Sequence, residues 1–148
     1  MCFMLYAGTD KPLARREWDK DSPLELGVWS LRGDEELIRP HFSKPEVQNV
    51  GSDTCCGCGF PSIMLNKSDW PWWDGCLKPD QFESDRENRE ALVGLLRSSG
   101  EKSVELYGIW SDKCAEEPKA VEEISLDQML DSSFRFKEQC FYRVSIKS

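Results

Sequence analysis

The sequence holds one histidine, His41, and few basic residues, and each shortage excludes a class of function. With 19 basic against 27 acidic residues, the formal net charge is −8 at pH 7. A basic face for nucleic acid or for an anionic membrane is therefore not expected. A single histidine also cannot form a metal site built on paired histidines.

The chain also lacks long apolar runs and the basic opening of a secretory signal. No run approaches the length that crosses a membrane, and the start of the chain has no basic residues before its apolar stretch. The chain has seven cysteines, and an odd number does not suit a framework of paired disulfides. The lack of an export signal points the same way. These features predict a cytoplasmic chain with reduced thiols.

What is present predicts one globular domain spanning residues 1–148. Apolar residues make up 39% of the chain and charged residues 31%, which is a folded rather than a disordered composition. Six tryptophans and seven phenylalanines can bury a large apolar area. The interval from Glu101 to Ser133 holds nine acidic and three basic residues, a net charge of −6. This interval is either a solvated acidic face or a surface for a basic partner protein.

Short apolar or alternating stretches predict six strands: Cys2–Thr9, Leu26–Leu31, Val47–Val50, Val104–Trp110, Lys119–Ile124 and Gln139–Ile146. Proline and glycine interrupt the stretch from Pro40 to Pro79, where no long element is expected. Because strands and helices do not alternate throughout, the pattern predicts an α+β fold. Its antiparallel or mixed sheet would carry one main helix.

Three helical segments are predicted. The main one is Ser84–Ser99, where Ser84 and Glu87 form a capping-box pattern and Gly100 occupies the position of a left-handed C-terminal cap. A shorter helix should follow Ser125, which is paired with Gln128 in the same pattern, and run through Leu130. Asp34–Arg39 is predicted as one turn that Pro40 ends.

The segment built most evidently for chemistry is Cys55-Cys56-Gly57-Cys58-Gly59. Closely spaced thiolates in a glycine turn suit a soft tetrahedral metal, and zinc is the first candidate. Cys56 and Cys58 would be ligands, and Cys55, Cys2, Cys76 or His41 would complete the shell. Cys114 and Cys140 are single candidates elsewhere. The competing interpretation is a tight turn in which some of these cysteines are small buried residues.

A resemblance adds to this pattern. Val50-Gly51-Ser52, three residues and then Cys56-Gly57-Cys58-Gly59-Phe60 resembles a motif of a small family of uncharacterised bacterial proteins. The opening Met-Cys and the Phe-Ser-Lys-Pro stretch Phe42–Pro45 resemble the same family. The resemblance covers about the first sixty residues and implies no activity, but it favours Cys56 and Cys58 over Cys55.

Two further functions stay open. A thiolate enzyme or thiol redox protein would use Cys56 or Cys58 with His41 as the base. An acidic interaction module, such as an inhibitor or immunity-like protein, would neutralise a basic partner through Glu101–Asp131 and the tryptophan-rich loop. Three tryptophans in a proline-bracketed stretch are either a lid on the core or a binding surface: Trp70, Trp72 and Trp73.

Overall fold

The computed structural model has the predicted α+β architecture, with one mixed sheet and one main helix. It describes residues 3–17, 21, 26–52, 60, 62–63, 82–110, 113–131 and 134–146. The strands are β1 (Phe3–Thr9), β2 (Gly27–Ser30), β3 (Glu46–Gly51), β4 (Ser62–Ile63), β5 (Ser103–Trp110), β6 (Ala120–Ser125), β7 (Phe136–Lys137) and β8 (Cys140–Ser145). The helices are a 3-10 helix (Gly33–His41), α1 (Phe82–Ser98) and α2 (Leu126–Met129).

Among the described residues, six strands form one sheet in the order β2-β3-β1-β5-β8-β6. Neighbouring strands run antiparallel, except β6, which runs parallel to β8. The register sets Leu5 beside Val50 on one side of β1 and Phe3 beside Trp110 on the other. β1 thus lies between a strand from the first half of the chain and one from the second half. A separate parallel pair, β4 with β7, lies outside this sheet.

Alternation along the strands gives the sheet two apolar faces. One face packs against α1 through Leu92, Val93 and Leu96, and we call it the helix face. The other packs against the 3-10 helix through Ile38, and we call it the opposite face. On the opposite face, aromatic side chains from three adjacent strands form the centre of the core: Tyr6, Tyr107 and Phe141.

Helix α1 is longer at its start than its sequence predicts. The capping pattern predicts a start at Ser84, whereas the helix begins at Phe82, so Ser84 lies inside it. Serine costs an internal helical position only a few tenths of a kcal/mol, so a capping residue does not prevent an earlier start. At the other end Gly100 has a φ of +80°, as the prediction of a left-handed cap requires. No helix in the described part of the chain combines the length and apolarity needed to cross a membrane.

The predicted turn at Asp34–Arg39 is also longer, because the 3-10 helix continues through Pro40 to His41. The prediction that Pro40 ends this element is wrong. A proline this close to the helix end removes only one donor, and Phe42 N–H donates to Arg39 O (3.1 Å) beyond it. The extension positions His41 on the opposite face.

The Phe-Ser-Lys-Pro stretch is fixed to the sheet by a buried carboxylate. Glu105 on β5 is 4% exposed and accepts hydrogen bonds from Ser43 N–H (2.9 Å), Lys44 N–H (3.0 Å) and the Ser43 hydroxyl. Gly8 on β1 makes room for this arrangement, since a Cβ there would lie 2.5 Å from the Phe42 ring. The stretch therefore has a structural role that its sequence alone does not disclose.

We expect Glu105→Ala to lower the free energy of unfolding by about 3 kcal/mol, because it leaves two backbone donors without their charged acceptor. Urea denaturation measures the change. The control is Glu36→Ala, which removes an exposed ion pair with Arg39 (3.0 Å) and should cost less than about 1 kcal/mol. Equal losses in the two variants would contradict the proposed role of Glu105.

Candidate functional site

Most residues that the sequence singles out lie outside the described part of the chain. Among them are the proposed metal ligands Cys2, Cys55, Cys56, Cys58 and Cys76, and the three tryptophans Trp70, Trp72 and Trp73. His41 is described, as are the two remaining cysteines, Cys114 and Cys140, both of which are buried. Ser52 and Phe60 are the described residues that flank the cysteine segment.

These flanking residues lie at one end of the sheet. β1 begins at Phe3, which pairs with Trp110 at the end of β5. β3 ends at Gly51, one residue after the pair Leu5–Val50, and β8 begins at Cys140. We call this end, defined by Phe3, Gly51, Trp110 and Cys140, the cysteine end of the sheet. Three stretches of chain that carry cysteines join the sheet there, with Cys2 before β1, Cys55, Cys56 and Cys58 after β3, and Cys114 after β5, while Cys140 is the first residue of β8.

The described residues on both sides of the cysteine segment are buried. Ser52 follows β3 directly and is 0% exposed, and Phe60 is 1% exposed. The Phe60 ring packs edge-on against Phe136, with 6.2 Å between ring centres. Phe136 in turn contacts Tyr142 on β8 at 5.7 Å. The chain is thus held on the core immediately before and after the seven residues that contain the three clustered thiols.

Cys140 is a protonated thiol. Burial raises its pKa to about 11, and its Sγ donates a hydrogen bond to Glu122 Oε2 (3.3 Å). The same carboxylate oxygen accepts from Lys137 Nζ (2.9 Å), and this bond is the main reason why the pKa of Glu122 is lowered. Thiolate chemistry at neutral pH is not expected of Cys140.

Cys114 belongs to a buried polar cluster on the opposite face. The Tyr6 hydroxyl donates to Glu35 Oε2 (2.9 Å), so the Cys114 thiol, 3.5 Å away, must donate to the tyrosine oxygen. Glu35 Oε2 also accepts from Asn49 Nδ2 (2.6 Å). Asn49 is fully buried, and its Oδ1 has no hydrogen-bond partner among the described residues. This thiol is a hydrogen-bond donor in the core rather than an exposed nucleophile.

His41 does not contact either described thiol as a base would. Its Nε2 lies 3.2 Å from the Cys114 carbonyl oxygen, and a carbonyl can only accept, so Nε2 carries the proton and Nδ1 is the basic nitrogen. The ring meets Tyr107 edge-on at 5.7 Å. Tyr107 lies three residues, about 10 Å, before the end of β5. His41 is therefore set back from the cysteine end.

The Tyr6–Glu35–Asn49 cluster is not anticipated by the sequence interpretation. The one sequence signal for the cluster is an asparagine, Asn49, within the apolar strand β3. The structure places it in register with Tyr6 on β1. Without the strand pairing, nothing local connects these residues to Glu35 on the 3-10 helix. Within the described ranges, no three histidine, cysteine or acidic side chains are arranged to hold a metal.

The chain matches no known family model, and neither a curated protein nor a solved structure is significantly similar to it. The resemblance to the bacterial family with the Val-Gly-Ser and Cys-Gly-Cys-Gly-Phe motif stays a prediction. Function has to be inferred from where the described strands place the ends of the cysteine-bearing segments.

Proposed function

We propose that the protein is a non-enzymatic zinc-binding protein whose thiolate ligands gather at the cysteine end of the sheet. The observation that carries the proposal is that β1 begins where β3 ends. Continuing their register past Leu5–Val50 sets Phe3 beside Ser52, about 5 Å apart as in any strand pair. Two cysteine-bearing segments thus join the sheet side by side.

Chain length limits how far the thiols can be from this point. Cys2 is one residue before Phe3, and Cys55 is three residues after Ser52. An extended chain spans at most about 3.6 Å per residue, so both α-carbons lie within about 11 Å of neighbouring strand ends. That distance is short enough for Cys2 to share a metal with the thiols of the Cys-Gly turn.

The chemistry favours a closed thiolate shell of Cys2, Cys55, Cys56 and Cys58. Zinc prefers four tetrahedral ligands in structural sites, and four thiolates leave no open position for substrate. Gly57 and Gly59 allow the tight turn that directs backbone amides toward sulfur. Binding would stabilise the cysteine end of the sheet, and the reducing cytoplasm would keep the ligands available.

The described thiols and His41 are the less suitable ligands. Cys114 and Cys140 each donate a hydrogen bond within the core. His41 packs against Tyr107, which lies about 10 Å before the end of β5, and its Nε2 is held by a carbonyl. Cys76 remains an alternative fourth ligand, which substitution can distinguish from Cys2.

Protein purified without chelator should contain about one equivalent of zinc, and Cys56→Ser/Cys58→Ser should contain less than about a tenth. Elemental analysis by mass spectrometry gives the stoichiometry. Cys2→Ser should weaken zinc binding, whereas His41→Asn and the control Cys140→Ser, which keeps a donor to Glu122, should retain it. A wild-type protein with less than about a tenth of an equivalent of any transition metal would overturn the proposal.

A further inference from the structure

Strand β6 forms one edge of the sheet, and among the described residues it pairs only with β8. At the other edge, β2 is joined on its outer side by Arg16, which exchanges two backbone hydrogen bonds of 2.8 Å with Val28. We propose that β6 binds an extended basic segment of a partner protein, which adds to the sheet as a further strand. This proposal is independent of the zinc site.

The backbone of β6 presents hydrogen-bonding groups outward. Ile146 N–H donates to Lys102 O, so the even-numbered residues of β8 bond to β5 and the odd-numbered ones bond to β6. With Glu123 in register with Arg143, the parallel ladder uses the backbone groups of Glu122 and Ile124. The N–H and C=O of Val121 and Glu123 therefore point away from β8, where an incoming strand would meet them.

Two open cavities flank this strand. One, of about 320 Å³, is lined on the helix face by Glu122, Ile124, Phe134, Lys137 and Tyr142 among others. The second, of about 430 Å³, is lined mainly by side chains of the opposite face: Ser103, Glu123, Ser125, Arg143 and Ser145. Successive side chains of an extended strand point to opposite faces, so a strand docked on β6 would direct alternate side chains toward the two cavities.

Charge decides which occupant fits. Residues 113–131, which contain β6 and both of its flanks, hold six acidic and two basic residues, while Arg135, Lys137 and Arg143 are the basic residues among those that line the two cavities. Glu123 and Asp127 are exposed there, and Val121, 55% exposed, adds an apolar contact. A second copy of the chain would bring these acidic flanks against each other, which disfavours pairing between two β6 strands. A basic segment is complementary to them.

The test uses the full-length protein and a capped peptide of alternating lysine and valine, with the same peptide N-methylated at alternate backbone amides as a control. Isothermal titration calorimetry measures both affinities. We expect the parent peptide to bind, and the methylated peptide to bind at least about tenfold more weakly because it cannot complete the ladder. Affinity for the parent peptide should also fall as salt is raised.

A protein variant tests the same contact from the other side. Val121→Pro removes an outward N–H that β8 does not use, so the fold should persist while peptide affinity falls at least about tenfold. Val121→Thr, which keeps that N–H, is the matched control and should bind nearly as well as the parent protein. Circular dichroism confirms that both variants are folded.

Three results would overturn the proposal. Equal binding of the parent and methylated peptides would reduce the interaction to charge attraction without strand addition. If the parent peptide does not bind at millimolar concentration, β6 is not a binding site for a basic strand. A dimer in solution that Val121→Pro dissociates would mean that a second copy occupies the edge.

Discussion

Raising the folded protein to about pH 10, where free tyrosine is half ionised, should produce almost no phenolate absorbance. The three tyrosines of the sequence, Tyr6, Tyr107 and Tyr142, are all at most 1% exposed. Burial raises the pKa of each far above its ordinary value, because a phenolate would lose its hydration in the core. Each tyrosine should therefore remain protonated until the core opens.

The same shifts determine how stability depends on pH. A group whose pKa is higher in the folded than in the unfolded state stabilises the fold below its unfolded pKa. That contribution is lost as the pH rises toward the folded value. The stabilising contribution of the three tyrosines is lost above about pH 10, and that of Cys140 is lost between pH 9 and about pH 11. Their losses add, so we expect a steep cooperative alkaline unfolding.

Ultraviolet absorbance of phenolate and near-ultraviolet circular dichroism should change together over one narrow pH interval. In guanidinium the same three tyrosines should titrate broadly around pH 10. Tyr142→Phe is the matched variant, and it should remove one third of the amplitude while the remaining two tyrosines still ionise only on unfolding. Ionisation of any tyrosine while the dichroism stays native would contradict the prediction.

The strands that carry these tyrosines are predicted by the sequence because the relevant information is local. In β8, Cys140, Tyr142 and Val144 face α1 while Phe141 faces the other way, as strict alternation requires. The capping box of Ser125 with Gln128 is confirmed at the start of α2. Periodicity and capping depend on residues within a few positions of one another, so they can be interpreted before the fold is known.

The order of the strands could not be predicted in the same way. Phe3 pairs with Trp110 and Leu5 with Val50, and nothing near these residues in the sequence indicates those partners. The parallel pairing of β6 with β8 also depends on the connection between them. This connection contains α2 and β7 and brings the chain back so that β8 runs in the same direction as β6. Long-range pairing is set by the packing of whole faces rather than by local pattern.

The buried cluster around Tyr6 could not be predicted either, because its members are far apart in the sequence. Tyr6 and Cys114 are 108 positions apart, and Asn49 and Glu35 are 14 apart. Sequence inspection treats Cys114 as an isolated thiol, whereas folding places it against a tyrosine that already donates to Glu35. The metal site at Cys55–Gly59 stays a prediction, because these residues lie outside the described part of the chain.

Replacing Gly108 by alanine should destabilise the protein by about 2 kcal/mol, while Gly94→Ala should stabilise it by up to about 1 kcal/mol. A Cβ on Gly108 would lie far inside van der Waals contact with the Phe3 ring, which supplies all three of its nearest atoms. That ring is itself held edge-on against Trp110, 6.2 Å away. At Gly94 on α1, a Cβ would meet nothing within 4 Å, so alanine adds only its helix propensity.

Urea denaturation of the two variants should therefore shift the midpoint in opposite directions at an unchanged m-value. Adding Phe3→Leu to Gly108→Ala tests the cause, because a shorter side chain relieves the overlap. The double variant should lose less than the sum of the two single losses, with a coupling of about 1 kcal/mol. Strict additivity, or a Gly108→Ala protein as stable as the parent, would show that the Phe3 ring moves aside without cost and that the strand does not require glycine there.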